Sequence, residues 1–158
     1  MIGYVTLEEA DAYVEAHYLE VEDARTNWED LENESKEILL RRSFEAIDNL
    51  VLTGRKTFPD QDTSFPRYPS TEVPARVKYA QIENALSLSD ASIQEDTAFY
   101  SKLKSFGITS YSIGNLSETL GAYSAEADSV NTSLTAKGIV STKAQQYLLP
   151  YIYGGFRI

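Results

Sequence analysis

The chain contains no cysteine and only one histidine, His17, among its 158 residues. Without cysteine there can be no disulfide framework, thiol nucleophile or thiolate metal site, and a single histidine excludes multi-histidine metal sites and most histidine-based triads. No apolar run approaches the roughly 20 residues that span a bilayer, and the N-terminus lacks the features of a signal peptide. The sequence therefore predicts a protein made in the cytosol that enters no membrane and needs no cofactor.

Basic residues are fewer than acidic ones, and the charges are unevenly distributed along the chain. The net charge is −10, and residues 1–50 hold 14 acidic against 4 basic residues, whereas residues 51–78 hold 3 against 5. Such an excess of acid disfavours tight, sequence-independent binding to a phosphate backbone, because that binding requires a basic surface. The acidic residues are predicted to lie on the first helices, and the simplest interpretation is that they form ordinary solvent-exposed helix faces.

Hydrophobic periodicity predicts a mainly α protein with a single domain at residues 1–158. Thr6 and Glu9 form a capping-box pattern ahead of the first helix, and Pro74 is placed in the first turn of a later one. Gly54 is expected to stop the long second helix. The predicted helical segments are 7–17, 34–52, 74–89, 93–103 and a last helix from residue 141 or 142, with Thr142 and Gln145 at capping-box spacing, to Pro150.

The expected architecture is a small bundle of four to five helices with a long ordered proline-rich loop and a short β-hairpin near residues 107–123. The helical core covers about 4–103 and 141–150. Alternation in Ile108–Ile113 followed by Gly114-Asn115 indicates the hairpin. Residues 105–137 are a Ser/Thr-rich extension, of which 124–137 is predicted to be a flexible or partner-ordered loop.

The connector Thr53–Lys78 carries four of the five prolines and three aromatic-proline pairs. Disordered linkers seldom hold so many aromatics, so we expect it to be ordered. Aromatic residues with arginine are typical of protein interfaces, and the same elements could also stack bases and hold the backbone of single-stranded nucleic acid. The subunit-interface candidates are Arg55, Lys56, Phe58, Phe65, Arg67 and Tyr68.

The end of the chain, residues 147–158, is aromatic and nearly uncharged, so it would be an aggregation hazard in water. It is predicted either to pack on its own core or to dock on another protein. The docking candidates are Tyr147, Leu148, Leu149, Tyr151, Ile152, Tyr153, Phe156, Arg157 and Ile158.

No residue pattern predicts an enzyme. Acidic pairs such as Glu34 and Glu37 are most simply solvated surface, because nothing nearby would shift their pKa values. Gly54-Arg55-Lys56-Thr57 fails as a phosphate-binding loop, since the earlier glycine and the following helix are missing.

Several motifs taken in order resemble a family of tailed bacteriophages, the head-to-tail connector or adaptor proteins. The motifs are Tyr4–Tyr13, Gly54–Thr57, Phe65–Arg67, Val73-Pro74 and Val77–Ala80. Some relatives of that family carry the description DnaT-like single-stranded DNA-binding protein. The resemblance covers about residues 3–88 and the final helix, and the Ser/Thr-rich segment departs from it.

The resemblance implies a structural protein of the virion and no catalysis. It implies a self-assembled ring, usually of twelve subunits, beneath the portal protein, joining the DNA-filled capsid to a tail-side connector, stopper or tail protein. The C-terminal segment would reach the portal, and double-stranded DNA would pass through the channel without specific binding. A nucleic-acid-binding module that uses the connector for single strands is the alternative function.

Overall fold

The computed structural model describes residues 1–90, 102, 110–113, 116–119, 134–135 and 137–152. Within these residues it contains five helices and one two-stranded hairpin, which confirms the predicted small, mainly α fold. The elements are α1 (Leu7–His17), α2 (Asp23–Glu29), α3 (Asn33–Asp48), α4 (Ala75–Ser89), β1 (Ser110–Ile113), β2 (Leu116–Thr119) and α5 (Thr142–Ile152). The predicted helical segment 93–103, apart from residue 102, and most of the predicted loop 124–137 lie outside the described residues.

Helices α1 and α4 begin where their capping signals predict. The Glu9 N–H donates to Thr6 Oγ1 at 3.1 Å and the Thr6 N–H donates to the Glu9 carboxylate at 2.8 Å, which completes the capping box. Pro74 was predicted in the first turn of α4 and is instead the residue immediately before the helix, where a missing N–H likewise costs no helical hydrogen bond. The predicted hairpin is also present, with β1 antiparallel to β2 and Ser110 opposite Thr119.

Three features differ from the prediction. Helix α2 was not among the predicted helical segments, and it is held by burial of Trp28. The long helix ends at Asp48 instead of residue 52, where Asn49 caps it through bonds to the Glu45 carbonyl. Gly54, with φ +79°, serves a turn in the connector and does not terminate α3.

Helix α5 begins at Thr142, as predicted, but its cap and its C-terminal end differ from the prediction. Ser141 Oγ accepts from the Ala144 N–H at 3.2 Å, so Ser141 caps the helix, while Gln145 points inward to the Ile139 carbonyl. The helix continues through Pro150 to Ile152, because a proline in the last turn removes only one backbone bond and the final residues pack on the core.

Helix α4 separates two groups of buried side chains. One group lies against α3 and α5 and the other against α1, α2 and α3, so α4 is covered on nearly every side. Its buried residues are Val77, Ala80, Gln81, Ile82, Glu83, Asn84, Ala85 and Leu86. Three of these are polar, and buried polar groups need partners to avoid a large desolvation cost.

Gln81 joins the N-terminal segment, α3 and α4. Its Oε1 accepts from the Tyr4 N–H at 3.0 Å, and its Nε2 donates to the Ile2 carbonyl at 2.7 Å and the Leu40 carbonyl at 2.9 Å. The Gln81 carbonyl in turn accepts from Ser43 Oγ at 2.7 Å. A fully buried amide therefore links the N-terminal segment to α3 through backbone groups of both.

Asn84 and Glu83 attach further segments to the same helix. The Asn84 amide donates to the Gly138 carbonyl and accepts from the Val140 N–H, which positions the chain just before α5. The buried Glu83 carboxylate accepts from Tyr13 Oη at 2.7 Å and Tyr18 Oη at 2.6 Å.

This arrangement of Glu83 affects both phenols. Burial, followed by the hydrogen bond to Glu83, raises the pKa of Tyr13 and of Tyr18 far above the ordinary value. Lys143 Nζ lies 3.5 Å from the Glu83 carboxylate and so links α5 to the same network.

Helices α1, α2 and α3 meet at a second polar contact. Asp11 Oδ1 accepts from Trp28 Nε1 at 2.8 Å and from Lys36 Nζ at 3.2 Å, and the Lys36 ammonium lies 5.5 Å from the centre of the Trp28 ring. The lysine is nearly buried, so it needs this carboxylate. No helix in the part of the chain that the structure describes is both long and apolar enough to cross a membrane.

We expect Gln81→Leu to lower the free energy of unfolding by about 2–4 kcal/mol, because the buried Tyr4 N–H loses its partner and the Ile2 and Leu40 carbonyls each lose the bond that Gln81 supplies. Urea unfolding followed by circular dichroism measures the change. Gln146→Leu is the matched control, since Gln146 is exposed on α5, and should change it by less than about 0.5 kcal/mol. Equal effects of the two substitutions would contradict the role given to Gln81.

Candidate functional site

The connector between α3 and α4 is organised by the Arg67 side chain. Its guanidinium donates to four backbone carbonyls: Thr53 at 2.7 Å, Ser64 at 3.2 Å, Leu52 at 3.3 Å and Gly54 at 2.5 Å. Charged donors make stronger bonds than neutral ones, and a planar guanidinium can serve several acceptors at once. Arg67 is therefore committed to the loop itself, although the sequence made it an interface candidate.

Backbone pairing closes the same loop. Lys56 and Arg67 form an antiparallel bridge, flanked by bonds from the Tyr68 N–H to the Arg55 carbonyl at 3.0 Å and from the Thr57 N–H to the Pro66 carbonyl at 3.2 Å. Lys56 Nζ also donates to two carbonyls farther along the loop, those of Gln61 and Asp62. The predicted ordered proline-rich loop is confirmed.

Asp48, at the end of α3, fastens the loop to the helices. One of its carboxylate oxygens accepts from both the Ser64 N–H and Tyr4 Oη at 2.5 Å, and its carbonyl accepts from Ser64 Oγ at 2.7 Å. Burial, followed by the bond to Asp48, raises the pKa of Tyr4 well above its usual value. Sequence reasoning missed Asp48, and the only available signal was an acid at the end of an apolar stripe.

Phe65 is a core residue and not a surface residue, contrary to its place among the interface candidates. Its side chain is 1% exposed and packs edge-on against Tyr4 at 5.7 Å and Tyr151 at 5.1 Å between ring centres. Beside Phe65, two hydrogen bonds also join the loop to α5: the Thr53 N–H and Oγ1 donate to the Tyr151 carbonyl at 2.8 and 2.9 Å. The loop is thus fixed to α5 as well as to α3.

Four of the six interface candidates remain at the surface: Arg55, Lys56, Phe58 and Tyr68, which we call the loop surface. Phe58 is 50% exposed and Tyr68 is 59% exposed. The Arg55 guanidinium carbon lies 4.4 Å from the centre of the Tyr68 ring, within range of a cation–π contact. The loop surface therefore presents aromatic rings beside positive charge on a backbone that its own hydrogen bonds hold in place.

Arg76 adds to the positive charge at this end of the molecule. Burial raises the pKa of Tyr151, and the positive charge of Arg76, in the first turn of α4, opposes that effect. Lys78, by contrast, pairs with Glu9 at 2.7 Å, and this bond is the main cause of the lowered pKa of Glu9. Among the described residues no three acidic or histidine side chains come together to hold a metal ion.

The C-terminal docking candidates divide into core and surface. Leu148 is fully buried, which corrects its assignment to a partner, and Tyr147, Tyr151 and Ile152 are partly buried against the same core. Leu149 lies at the surface. Tyr153, Phe156, Arg157 and Ile158 lie outside the described residues. Helix α5 therefore follows the first of the two predicted alternatives, packing on its own chain.

A small helical domain that displays exposed aromatic and basic groups on a rigid loop has the features of a binding module. The chain belongs to the family described as "Putative DnaT-like ssDNA binding protein", whose model matches residues 3–152. That description was one part of the resemblance seen in the sequence, whereas the comparisons give no support to the connector part. Neither the curated proteins nor the solved structures include a match to the chain.

We expect Arg67→Lys to lower the free energy of unfolding by about 1.5–3 kcal/mol, because one ammonium cannot serve four dispersed carbonyls. Amide hydrogen exchange should speed up at Thr57 and Tyr68, whose N–H groups close the loop. Arg55→Lys makes the same charge-preserving substitution at an exposed site and should leave both measurements nearly unaltered. Unchanged exchange in Arg67→Lys would mean that the backbone pairs hold the loop without it.

Proposed function

We propose that this protein binds single-stranded nucleic acid at the loop surface. The observation that carries the proposal is the Arg55 guanidinium lying over the exposed Tyr68 ring, with Phe58 and Lys56 on the same ordered loop. Bases stack on aromatic rings whatever their sequence, and guanidinium or ammonium groups hold the phosphates. The description of the family supports the same function.

The rigidity of the loop favours such binding. Side chains on a fixed backbone lose little conformational freedom when a ligand arrives, so less of the contact energy is spent on ordering. Since Arg67 and Asp48 hold the backbone from inside, Arg55 and Tyr68 are available to a ligand without any rearrangement of the loop.

The charge of the whole chain sets limits on this binding. A net charge of −10 opposes the approach of a phosphate backbone to the molecule as a whole. We therefore expect a short binding site, modest affinity and a salt dependence set by few contacts. The phosphate contacts would be Arg55 and Lys56, whose ammonium keeps one donor beyond its bonds to the Gln61 and Asp62 carbonyls. With these two contacts, the slope of log K against log salt should be about −1.4 for a single strand.

The test is a fluorescence anisotropy titration of labelled oligo-dT at low salt. Tyr68→Ala should weaken binding by about 1–3 kcal/mol through lost stacking. Arg55→Ala should weaken binding and make the salt slope shallower by about 0.7. Arg42→Ala removes the same charge from an exposed site on α3 and should alter binding far less.

Absence of binding to the wild-type protein at low salt would overturn this function. Equal losses of affinity for oligo-dT in Arg55→Ala and Arg42→Ala would show only a general electrostatic attraction, and the loop surface would no longer be the proposed binding site.

We also propose a second function, from a different class: a head-to-tail connector of a tailed-phage virion. The observation that favours it is the excess of exposed acids over exposed bases along α1 to α3, with Arg55 and Lys56 exposed on the loop, which suits head-to-tail contacts between copies in a ring. Acid facing a channel would repel the phosphates of passing double-stranded DNA. The partners would be the portal protein, a tail-side protein and further copies of this chain.

For the connector we expect electron micrographs of the protein mixed with a purified portal ring to show a second ring stacked on the first. Deleting residues 153–158 should abolish this stacking, because only that part of the docking segment lies beyond α5, and should leave the circular dichroism spectrum unchanged. Deleting residues 147–158 would be a poor test, since it also removes buried Leu148. Portal rings that stay bare with the full chain would contradict the connector.

A further inference from the structure

A row of aromatic rings crosses three helices outside the loop. Tyr147 of α5 lies 5.9 Å from Tyr79 of α4 between ring centres, and Tyr79 lies 5.8 Å from the His17 imidazole of α1. His17 is exposed, and both tyrosines are partly exposed. Together with Tyr151, one turn farther along α5, these rings form what we call the ring row.

His17 is held in place at one end of the ring row. Its imidazole stacks on the Tyr13 ring at 3.9 Å between centres and 17° between planes, and its Nδ1 lies 2.9 Å from the Tyr13 carbonyl oxygen. The Tyr13 hydroxyl is fixed in turn, because it donates to the buried Glu83 carboxylate. An exposed ring that is already fixed can stack on a base without first losing its own freedom.

The other end of the ring row meets the loop. The Tyr151 carbonyl accepts from the Thr53 N–H and Oγ1 at the base of the loop. Arg76, exposed in the first turn of α4, is close enough to the Tyr151 phenol to act on it electrostatically. An aromatic and a basic group therefore lie between the loop surface and the rest of the ring row.

Basic side chains accompany the rings on α4 and α5. These two helices contain Arg76, Lys78 and Lys143 but only one acid, Glu83, whereas α1 contains four acids and neither lysine nor arginine. The Lys143 side chain is 57% exposed, and its Nζ lies 4.3 Å from the centre of the Tyr18 ring. Residues 143 and 151 are eight residues apart, so these groups extend over about 12 Å of α5.

The acids that contact this region have partners. Glu9 pairs with Lys78 at 2.7 Å, and the buried Glu83 carboxylate lies 3.5 Å from Lys143 Nζ. Other acids are exposed on α1 and on the loop: Glu8, Glu15, Asp60 and Asp62. Because these four oppose phosphates, the strip that favours a phosphate backbone is narrow and follows α4 and α5.

We propose that a single strand bound at the loop surface continues along the ring row, with bases on Tyr147, Tyr79 and His17 and with phosphates near Arg76. Nucleic acid is the occupant that this chemistry favours, because rings accept any base, the accompanying exposed charges on α4 and α5 are basic, and the ring row adjoins the loop surface. The continuation rests on the proposed function and enlarges its site.

Fluorescence anisotropy with oligo-dT of increasing length, from about 4 to about 16 nucleotides, tests the continuation. Short strands should occupy the loop surface alone, whereas longer strands should gain affinity until the ring row is also covered. The slope of log K against log salt should steepen from about −1.4 to about −2.1, since Arg76 adds one phosphate contact. Lys143 is not counted, because Glu83 already offsets its charge.

Two substitutions should act on the longer strands only. Tyr147→Leu keeps an apolar side chain against the core and removes the ring, so it should weaken binding of the longest strand at least about fivefold. Arg76→Ala should return the salt slope of that strand to about −1.4. Arg41→Ala removes the same charge from an exposed position on α3 and should change neither measurement. Circular dichroism checks that each variant is folded.

The His17 imidazole reports on the far end of the ring row in the unaltered protein. His17 is the only histidine of the chain, so its ring protons give a single set of NMR signals. A long strand that stacks on the imidazole should shift these signals, and a short strand confined to the loop should leave them in place.

The outcomes separate the continuation from the function on which it rests. Affinity that does not rise with length, together with unmoved His17 signals, would overturn the continuation and leave the loop surface as the whole site. Absence of binding at every length would overturn the proposed function itself. Shifted His17 signals with full affinity in Tyr68→Ala would contradict a path that begins at the loop.

Discussion

The fold depends on supplying hydrogen-bond partners inside a helix that is buried on almost every side. Helix α4 could have been wholly apolar, but its buried face includes Gln81, Glu83 and Asn84, and each of these binds a different part of the chain. Because an unpaired buried amide or carboxylate is costly, each side chain admits only one arrangement of its neighbours. Hydrophobic burial makes the chain compact, whereas these three residues determine which segments lie beside α4.

The proposed site follows the same principle on a smaller scale. A loop without helix or sheet leaves many carbonyls without partners, and Arg67 supplies partners for four of them from a single side chain. Asp48 has the opposite role, because its carboxylate accepts hydrogen bonds from the loop and from Tyr4. With those two charges used internally, Arg55 and Tyr68 are left to face solvent. A basic residue in a sequence can therefore be part of the support for a site instead of the site itself.

Much of this fold could be predicted because the relevant signals are local. The capping box of α1, the proline before α4, the alternation of the hairpin and the aromatic-proline pairs each depend on a few adjacent residues, and the structure agrees with each. The predictions that were wrong depended on distant contacts. Helix α2 is stabilised by burial of Trp28, and the cap of α5 changes because Gln145 is drawn inward by the Ile139 carbonyl.

Which aromatic side chains of the connector are buried could not be predicted from the neighbouring sequence either. Phe58 and Phe65 both precede proline in one connector, yet the first is half exposed and the second is in the core. Which one is buried depends on Tyr4 and Tyr151, far away in the sequence. Periodicity cannot distinguish two such residues in a segment that has no periodicity. The candidate site could therefore be located in the sequence, but the residues that hold the loop in place could not be distinguished from those exposed on it.

The contact between Trp28 and Asp11 has an optical consequence. Trp28 is the only tryptophan of the chain, it is almost completely buried, and it lies in α2. The loop surface, in contrast, has tyrosine and phenylalanine but no indole. Ultraviolet emission excited at the red edge of the absorption band therefore originates entirely from the joint of α1, α2 and α3, and it reports on that joint and not on the loop surface.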